Sequence, residues 1–560
     1  MSAARTYTGE EALAGEETIA TGLPDYAHWL PDRSQDLLDT TLGDLLRKVA
    51  GEVPDRVALV EGVADPAQRR RWTYRELLRD AEGTARALLA YFRPGERVAV
   101  YATNSPEWVL LQHAMSLAGL ILVPVNPAYT VRELLYVLRD SEATGLFYDE
   151  SYRGKELGGV VSEVEQAALA HLRQIFAMPQ LHALMKQCDQ DLELPAIAPT
   201  DTLQIQYTSG TTGSPKGALL HHQGVINTAR NVALRMQFPD GGVHINAMPM
   251  FHIAGAAVAE MGVIAQRGTF VLMPHFDAGL MIELFESERA NATLIVPTMI
   301  LSILNHPDRS KHDISSWQTI LSGAANVPAA MVRQVHEQLD CKVCIIFGQT
   351  ESNGPITLSA PDDRIEDQTD TVGKPLPHVE VRVVDAATGA TVSVDTVGEL
   401  WVRGYQTMSG YFNMAEKSAE TILPEGWLRT GDLGTMDARG YIKITGRLKE
   451  MIIRGGMHLY PKEMEDVLFD HPAIDQIAIL GVPDEKWSEV VAAVVLPCDP
   501  QAALTVSELV AYCTKRLAPQ KIPTLWYFVE KYPMTPSGKI QKNILQEMIK
   551  SGELKPSSEI

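Results

Sequence analysis

The apolar positions change period several times along the chain, and the changes outline its elements. Thr73-Tyr-Arg-Glu76 forms a capping box, with Leu77, Ala81 and Leu88 at helical spacing behind it. Arg93-Pro-Gly-Glu96 reads as a turn into the strand Arg97–Tyr101. A helix over Trp108–Ala118 and a strand over Ile121–Val125 follow. The longest apolar stretch, Leu110–Val125, is interrupted by Gln112, His113 and Pro124, so a buried helix then a strand fits it better than a membrane span. This βαβ rhythm predicts a mostly parallel, doubly wound sheet in an α/β fold. From about residue 372 the pattern shortens. Val379–Val384, Gly398–Arg403 and Tyr441–Thr445 alternate with Gly- and Asp-rich turns, as in a small β-barrel or an antiparallel sheet. After about residue 449 a further unit begins. Pro461 sits in a first helical turn, with Met464, Val467 and Leu468 on one face. Strands Gln476–Leu480 and Val490–Leu496 and a helix over Val506–Leu517 complete a smaller α+β domain.

Composition narrows the function classes. The chain has 560 residues, too many for one core, with 45% hydrophobic and 21% charged residues. It carries 49 basic and 70 acidic residues, a formal charge of −21, which disfavours nucleic acid and anionic membrane surfaces as partners. The charge is uneven: residues 1–50 hold four Lys/Arg and nine Asp/Glu, whereas residues 511–560 hold eight and four. The five cysteines (Cys188, Cys341, Cys344, Cys498, Cys513) do not suggest a disulfide framework. Cys341 and Cys344 have CxxC spacing but lie on a strand pattern, which turns the thiols to opposite faces. A polar, acidic N-terminus without a signal-peptide pattern leads to the expectation of a soluble, cytoplasmic protein without an integral membrane segment.

The sharpest local feature is Tyr207-Thr-Ser-Gly-Thr-Thr-Gly-Ser-Pro-Lys-Gly217, between the strand-like Leu203–Tyr207 and the helix-like Gly224–Leu234. Gly210, Gly213 and Gly217 allow backbone close to a ligand, Thr208, Ser209, Thr211 and Thr212 add hydroxyls, and Lys216 adds a cation. It is not a Walker A loop, because Pro215 and Gly217 stand where that pattern needs Gly and Ser/Thr. Alone, it reads either as a phosphate cradle or as a flexible Ser/Thr/Gly surface loop.

Further motifs follow in order: Pro249-Met-Phe-His252, Ser322-Gly-Ala-Ala325, Phe347-Gly-Gln-Thr-Glu351, Trp427-Leu-Arg-Thr-Gly-Asp-Leu433, the stretch Gly446–Gly456, and Pro536-Ser-Gly-Lys539. Together with the loop they resemble the adenylate-forming superfamily of acyl-CoA synthetases, aryl-CoA ligases, peptide-synthetase adenylation domains and luciferases, over about residues 70–545. The resemblance implies an N-terminal AMP-binding domain over residues 36–448, with a small barrel at 372–446. It also implies a mobile C-terminal lid at 449–555 hinged at Lys449, and leaves residues 1–35 as an extension. It implies ATP, Mg²⁺ and coenzyme A as ligands and an AMP-forming acid–thiol ligase activity.

By the same resemblance, Thr208–Gly213, Lys216, Gly323, Ala324, Ala325, Phe347, Gly348, Gln349, Thr350, Asp432, Ile444, Arg447 and Lys539 would bind ATP. Asp432 would take the ribose hydroxyls and Glu351 the metal. Lys539, Thr350, Glu351 and His252 would be the catalytic set, and Gly455 and Gly456 would line the path of CoA. His252, Ala254, Gly255, Met299, Ser322, Gly323 and Gln349 would form the acyl pocket. Amino-acid-activating members place an acidic residue near the start of Phe251-His252-Ile-Ala, and none stands here, so a fatty or aryl acid without a charged amine fits best. Transfer of the acyl group to a carrier protein, and a nucleotide-binding protein without chemistry, are the alternatives.

Overall fold

The computed structural model describes residues 25–187, 189–208, 215–323, 327–499, 504–534 and 540–559. Two sheets flanked by helices build the larger part. The first has the strand order Lys216–His221, Thr202–Thr208, Ile121–Val125, Arg97–Tyr101, Gly145–Tyr148, Gln174–Ala177. Its neighbours are parallel except for the first pair. The second has nine strands. Its parallel centre runs Lys342–Gln349, Thr319–Gly323, Ala292–Leu294, Val243–Asn246, Thr269–Leu272, Val57–Glu61, with antiparallel strands at both edges. The doubly wound α/β expectation is met.

Local signals explain the helices between these sheets. Helix Tyr74–Leu89 opens on the full Thr73/Glu76 capping box and buries Leu77, Ala81 and Leu88. Each large aliphatic side chain so buried contributes roughly 1.5–3 kcal/mol. Helix Pro106–Ala118 begins two residues before the expected Trp108, because Ser105 caps it and Pro106 fits its first turn. It ends at Gly119, whose φ is 66°. Every residue of this helix is buried, which accounts for its lack of a polar stripe. Cys341 and Cys344 lie in different core clusters, on opposite faces of the nine-stranded sheet. Both are free thiols that burial pushes well above the ordinary cysteine range.

Residues 380–447 contribute four strands to a five-stranded antiparallel sheet, ordered His28–Trp29, Glu380–Val384, Gly398–Arg403, Leu428–Met436, Ile442–Arg447. Its edge is supplied by residues 28–29, from the segment the sequence left without a role; His28 Nε2 bonds to Glu380 at 2.8 Å. The C-terminal part has its own sheet around the long hairpin Ile474–Asp484 and Ser488–Pro497. Its strands outrun the expected Gln476–Leu480 and Val490–Leu496. Among the described residues, no helix is long and apolar enough to cross a membrane.

Candidate active site

A cleft of about 1670 Å³ lies where the two large sheets, the five-stranded sheet and the C-terminal part meet. The loop 209–214 lies outside the described residues, as do Ala324, Ala325 and Lys539. The flanks of that loop are described. Thr208 and Lys216 are paired across antiparallel strands Thr202–Thr208 and Lys216–His221. The described flanks are therefore the two paired strands of a hairpin, where strand–loop–helix was expected. The helix comes only after the return strand, at His222–Arg235, and is capped by the His221 ring accepting the Gly224 N–H at 3.0 Å. The stems are anchored from helix Val131–Asp140: Tyr136 Oη donates to the Pro215 carbonyl, and Tyr207 Oη to Asp140, both at 2.7 Å.

Lys216 Nζ donates to Tyr411 Oη at 3.2 Å and stands 4.3 Å from its ring centre. Tyr411 Oη donates to Glu351 Oε1 at 2.7 Å. Burial pulls Lys216 below the ordinary lysine value, and the Glu351 charge opposes that shift. Burial and Glu351 together push the Tyr411 phenol up, so it remains a donor. Tyr411 had no signal in the sequence. It arrives because residues 409–412 lie along Gly217–Leu219, with Phe412 N–H bonded to Gly217 and Leu219 N–H to Gly410.

Asp432 and Arg447 face each other across strands Leu428–Met436 and Ile442–Arg447, paired at 3.0 Å. Asp432 is 3% exposed and sits just behind the cleft wall, which Thr430, Gly431, Ile444, Arg447 and Lys449 form. Glu399, also unmarked in the sequence, is buried beneath this turn. It accepts the Gly431 N–H at 3.2 Å and the Trp401 indole N–H at 2.8 Å.

Thr208, His252, Ala254 and Phe347–Glu351 also line the cleft. His252 Nδ1 accepts the Ala254 N–H at 3.2 Å. Six other named residues do not line it. Gly323 is packed on the neighbouring strand, where a Cβ would meet the Ile346 carbonyl at 2.5 Å, and Ser322 and Gly255 are buried. Met299 packs against both cores of the nine-stranded sheet, and Gly455 and Gly456 form a tight turn between strands Ile452–Arg454 and Met457–Leu459. Both of those glycines have positive φ (56° and 83°), which a two-residue hairpin requires. The C-terminal part instead presents Lys462, Asp466, Phe469 and Ile540–Gln541 to the cleft.

Eight Lys/Arg and eight Asp/Glu line the cleft among the described residues, so an anionic ligand there would meet a locally balanced wall in a strongly acidic protein. Glu351 is a hard oxygen donor. No group of three His, Cys, Asp or Glu suited to a metal exists among the described residues, so Mg²⁺ fits here only with phosphate oxygens completing its shell.

Comparison with known proteins decides the family. The profile described as AMP-binding enzyme matches residues 46–412, and that of the AMP-binding enzyme C-terminal domain matches residues 463–539. The chain belongs to the AMP-binding enzyme family. Among relatives of this AMP-binding enzyme, putative acyl-CoA synthetase YngI of Bacillus subtilis (strain 168) is 35% identical over 540 residues, covering 91% of this chain and 97% of its own length. Medium-chain acyl-CoA ligase ACSF2, mitochondrial, of Mus musculus is 32% identical over 553 residues, covering 92% and 88%. The solved structure of ATP-bound MatB from Rhodopseudomonas palustris matches with a TM-score of 0.83 at 29% identity, covering 91% of this chain and 99% of that one. O-succinylbenzoate coenzyme A synthetase (MenE) from Bacillus subtilis, in complex with ATP and magnesium ion, matches at 0.79 and 28%, covering 91% and 100%. The resemblance read from the motifs is borne out.

Proposed function

We propose that this AMP-binding enzyme joins a fatty or aryl carboxylic acid without a charged amine to coenzyme A. It consumes ATP and releases AMP and pyrophosphate through an acyl-adenylate. The observation that carries the reading is a single cleft with two unlike walls. Phe251, Ile253, Ala254 and Val258 give one wall apolar surface and no carboxylate to pair an amine. Lys216, Glu351, Arg447 and Lys449 give the other its charges.

In the first step a carboxylate oxygen attacks the α-phosphorus of ATP, and the bond to the bridging oxygen of pyrophosphate breaks. Two anions must approach, so cations aimed at the phosphates lower the barrier. Lys216 and Arg447 would supply two of these. Asp432 would share its carboxylate between Arg447 and the ribose hydroxyls, and Phe347 would face the base. Mg²⁺, when bound, would neutralise charge on the phosphates, with Glu351 as its protein ligand oriented by Tyr411. Thr350 and Gln349 would stand at the α-phosphate and His252 at the acyl carboxylate. Lys539 would reach the same point, supported by Ile540 and Gln541 on the cleft wall.

In the second step the CoA thiolate attacks the acyl carbon and AMP leaves. Gly455 and Gly456 lie away from the cleft lining in this arrangement, so their proposed role requires residues 449–555 to turn about Lys449 between the steps.

The test is a panel of straight-chain, branched and aryl acids with ATP and CoA, reading AMP and thioester. Matched, acid-dependent formation of both is expected. AMP without thioester would shift the acceptor to a carrier protein, and no AMP with any acid would leave a nucleotide-binding protein without chemistry.

A further inference from the structure

Behind the apolar wall of the cleft lies a polar seam in an otherwise apolar core. Ala254 and Val258 belong to a π-helix, Ala254–Ala259, that runs directly into helix Glu260–Ala265. Such helices are rare and cluster at functional sites. On the side away from the cleft, Gln112 Nε2 donates to the Ala256 carbonyl at 2.9 Å and to Glu260 Oε2 at 3.1 Å. His113 Nε2 bonds to the other oxygen, Glu260 Oε1, at 2.7 Å. Gln112 and Glu260 are each 1% exposed and His113 is fully buried. The turn leading into the π-helix is held from the same part of the chain. Asn104 Nδ2 donates to the carbonyls of Met248 and Met273, both at 3.0 Å, and its Oδ1 accepts the Met250 N–H at 2.8 Å. Gly255 is seated so closely that a Cβ there would lie 2.6 Å from the Pro249 carbonyl.

A carboxylate buried this deeply is costly to desolvate, and an apolar core of the same volume is often as stable. The seam is therefore not explained by stability. Gln112, His113 and Glu260 do not line the cleft, so they are not explained as ligands either. What they specify is geometry: both oxygens of Glu260 and one carbonyl inside the π-helix are held by adjacent residues of one rigid, wholly buried helix.

We propose that Gln112, His113 and Glu260 are positioning residues for acid selection. They hold the π-helix so that Ala254 and Val258 stand at the depth that sets which acyl chain fits. This rests on the reading of that wall as the acyl side of the cleft.

The test uses the full chain, reading KM for ATP and for straight-chain acids of increasing length through AMP release. Gln112→Met keeps the side-chain length and removes both N–H donors. Acid KM should rise about tenfold and the order of preference along the series should change, while ATP KM stays within about twofold. Glu260→Gln keeps the shape and one acceptor oxygen, so it should shift acid KM in the same direction by less. It also carries the test if Gln112→Met fails to fold. Acid KM and chain-length order unchanged in the folded variants, or ATP and acid KM rising together, overturns the proposal. The unaltered chain is the reference. If it releases no AMP with any acid, the functional reading fails; if it is active and its variants keep its acid profile, the positioning role alone fails.

Discussion

At the scale of single residues, the cleft turns on pairs that bring distant positions together. Lys216, Glu351, Asp432 and Arg447 stand out in the sequence because they sit in spaced motifs. Tyr411 and Glu399 do not, because a lone Tyr after Gly and a Glu within a strand carry no chemistry in one dimension. The fold gives Tyr411 its place, 60 positions from Glu351, as the donor that orients that carboxylate. Loss of a hydrogen-bond partner behind a metal ligand typically weakens metal affinity or activity by about 10- to 100-fold. Tyr411→Phe should therefore raise the Mg²⁺ concentration needed for half-maximal AMP release by about that factor. An unchanged Mg²⁺ titration would detach Tyr411 from the site.

At the scale of elements, local signals and tertiary burial divide the work. Caps and periodicity locate the helices Tyr74–Leu89 and Pro106–Ala118, since each depends on contacts within a turn or two. The return strand Lys216–His221 is hidden, because a six-residue strand followed at once by a helix leaves little period to read. Its junction also places His222, which is 2% exposed and accepts the Leu42 N–H on Nδ1 at 3.2 Å. Burial lowers His222 from 6.5 to about 4, and the likewise buried His244 to about 3. The unfolded chain thus takes up protons near pH 6.5 that the native state refuses until about pH 4 and pH 3. Stability should fall as pH drops below about 6.5, by about 1.4 kcal/mol per pH unit for each ring. Urea midpoints between pH 7 and pH 5 measure this. His222→Asn, which keeps an acceptor for Leu42, should flatten the slope; an identical slope would remove His222 from the effect.

At the scale of the whole molecule, a balanced cleft sits in a chain of charge −21, and the more basic C-terminal end contributes Ile540, Gln541 and Asn543 to its described lining but no cation. Lys542 bridges Glu450, next to the proposed hinge, and Glu465 on helix Pro461–Phe469, both at 2.8 Å. Those carboxylates raise its pKa against burial. The bridge ties the hinge segment to the chain three residues beyond Lys539, so both should turn as one body. Lys539→Ala should abolish adenylation while keeping thioester formation from supplied acyl-adenylate. Lys542→Met should show the same asymmetry in milder form, about tenfold on adenylation. Equal loss of both half-reactions in Lys542→Met would make the bridge merely structural, and in Lys539→Ala it would remove Lys539 from the first step. The sequence by itself determined the family, the α/β class and the chemical types at the site, because motifs, caps and periodicity are short-range properties of a chain. Only the tertiary structure decided the antiparallel pairing of Thr202–Thr208 with Lys216–His221, the partners of Glu351 and Asp432, and the seam from Gln112 to Glu260. Those contacts join residues from 8 to almost 150 positions apart, and they form only when burial selects one packing among many.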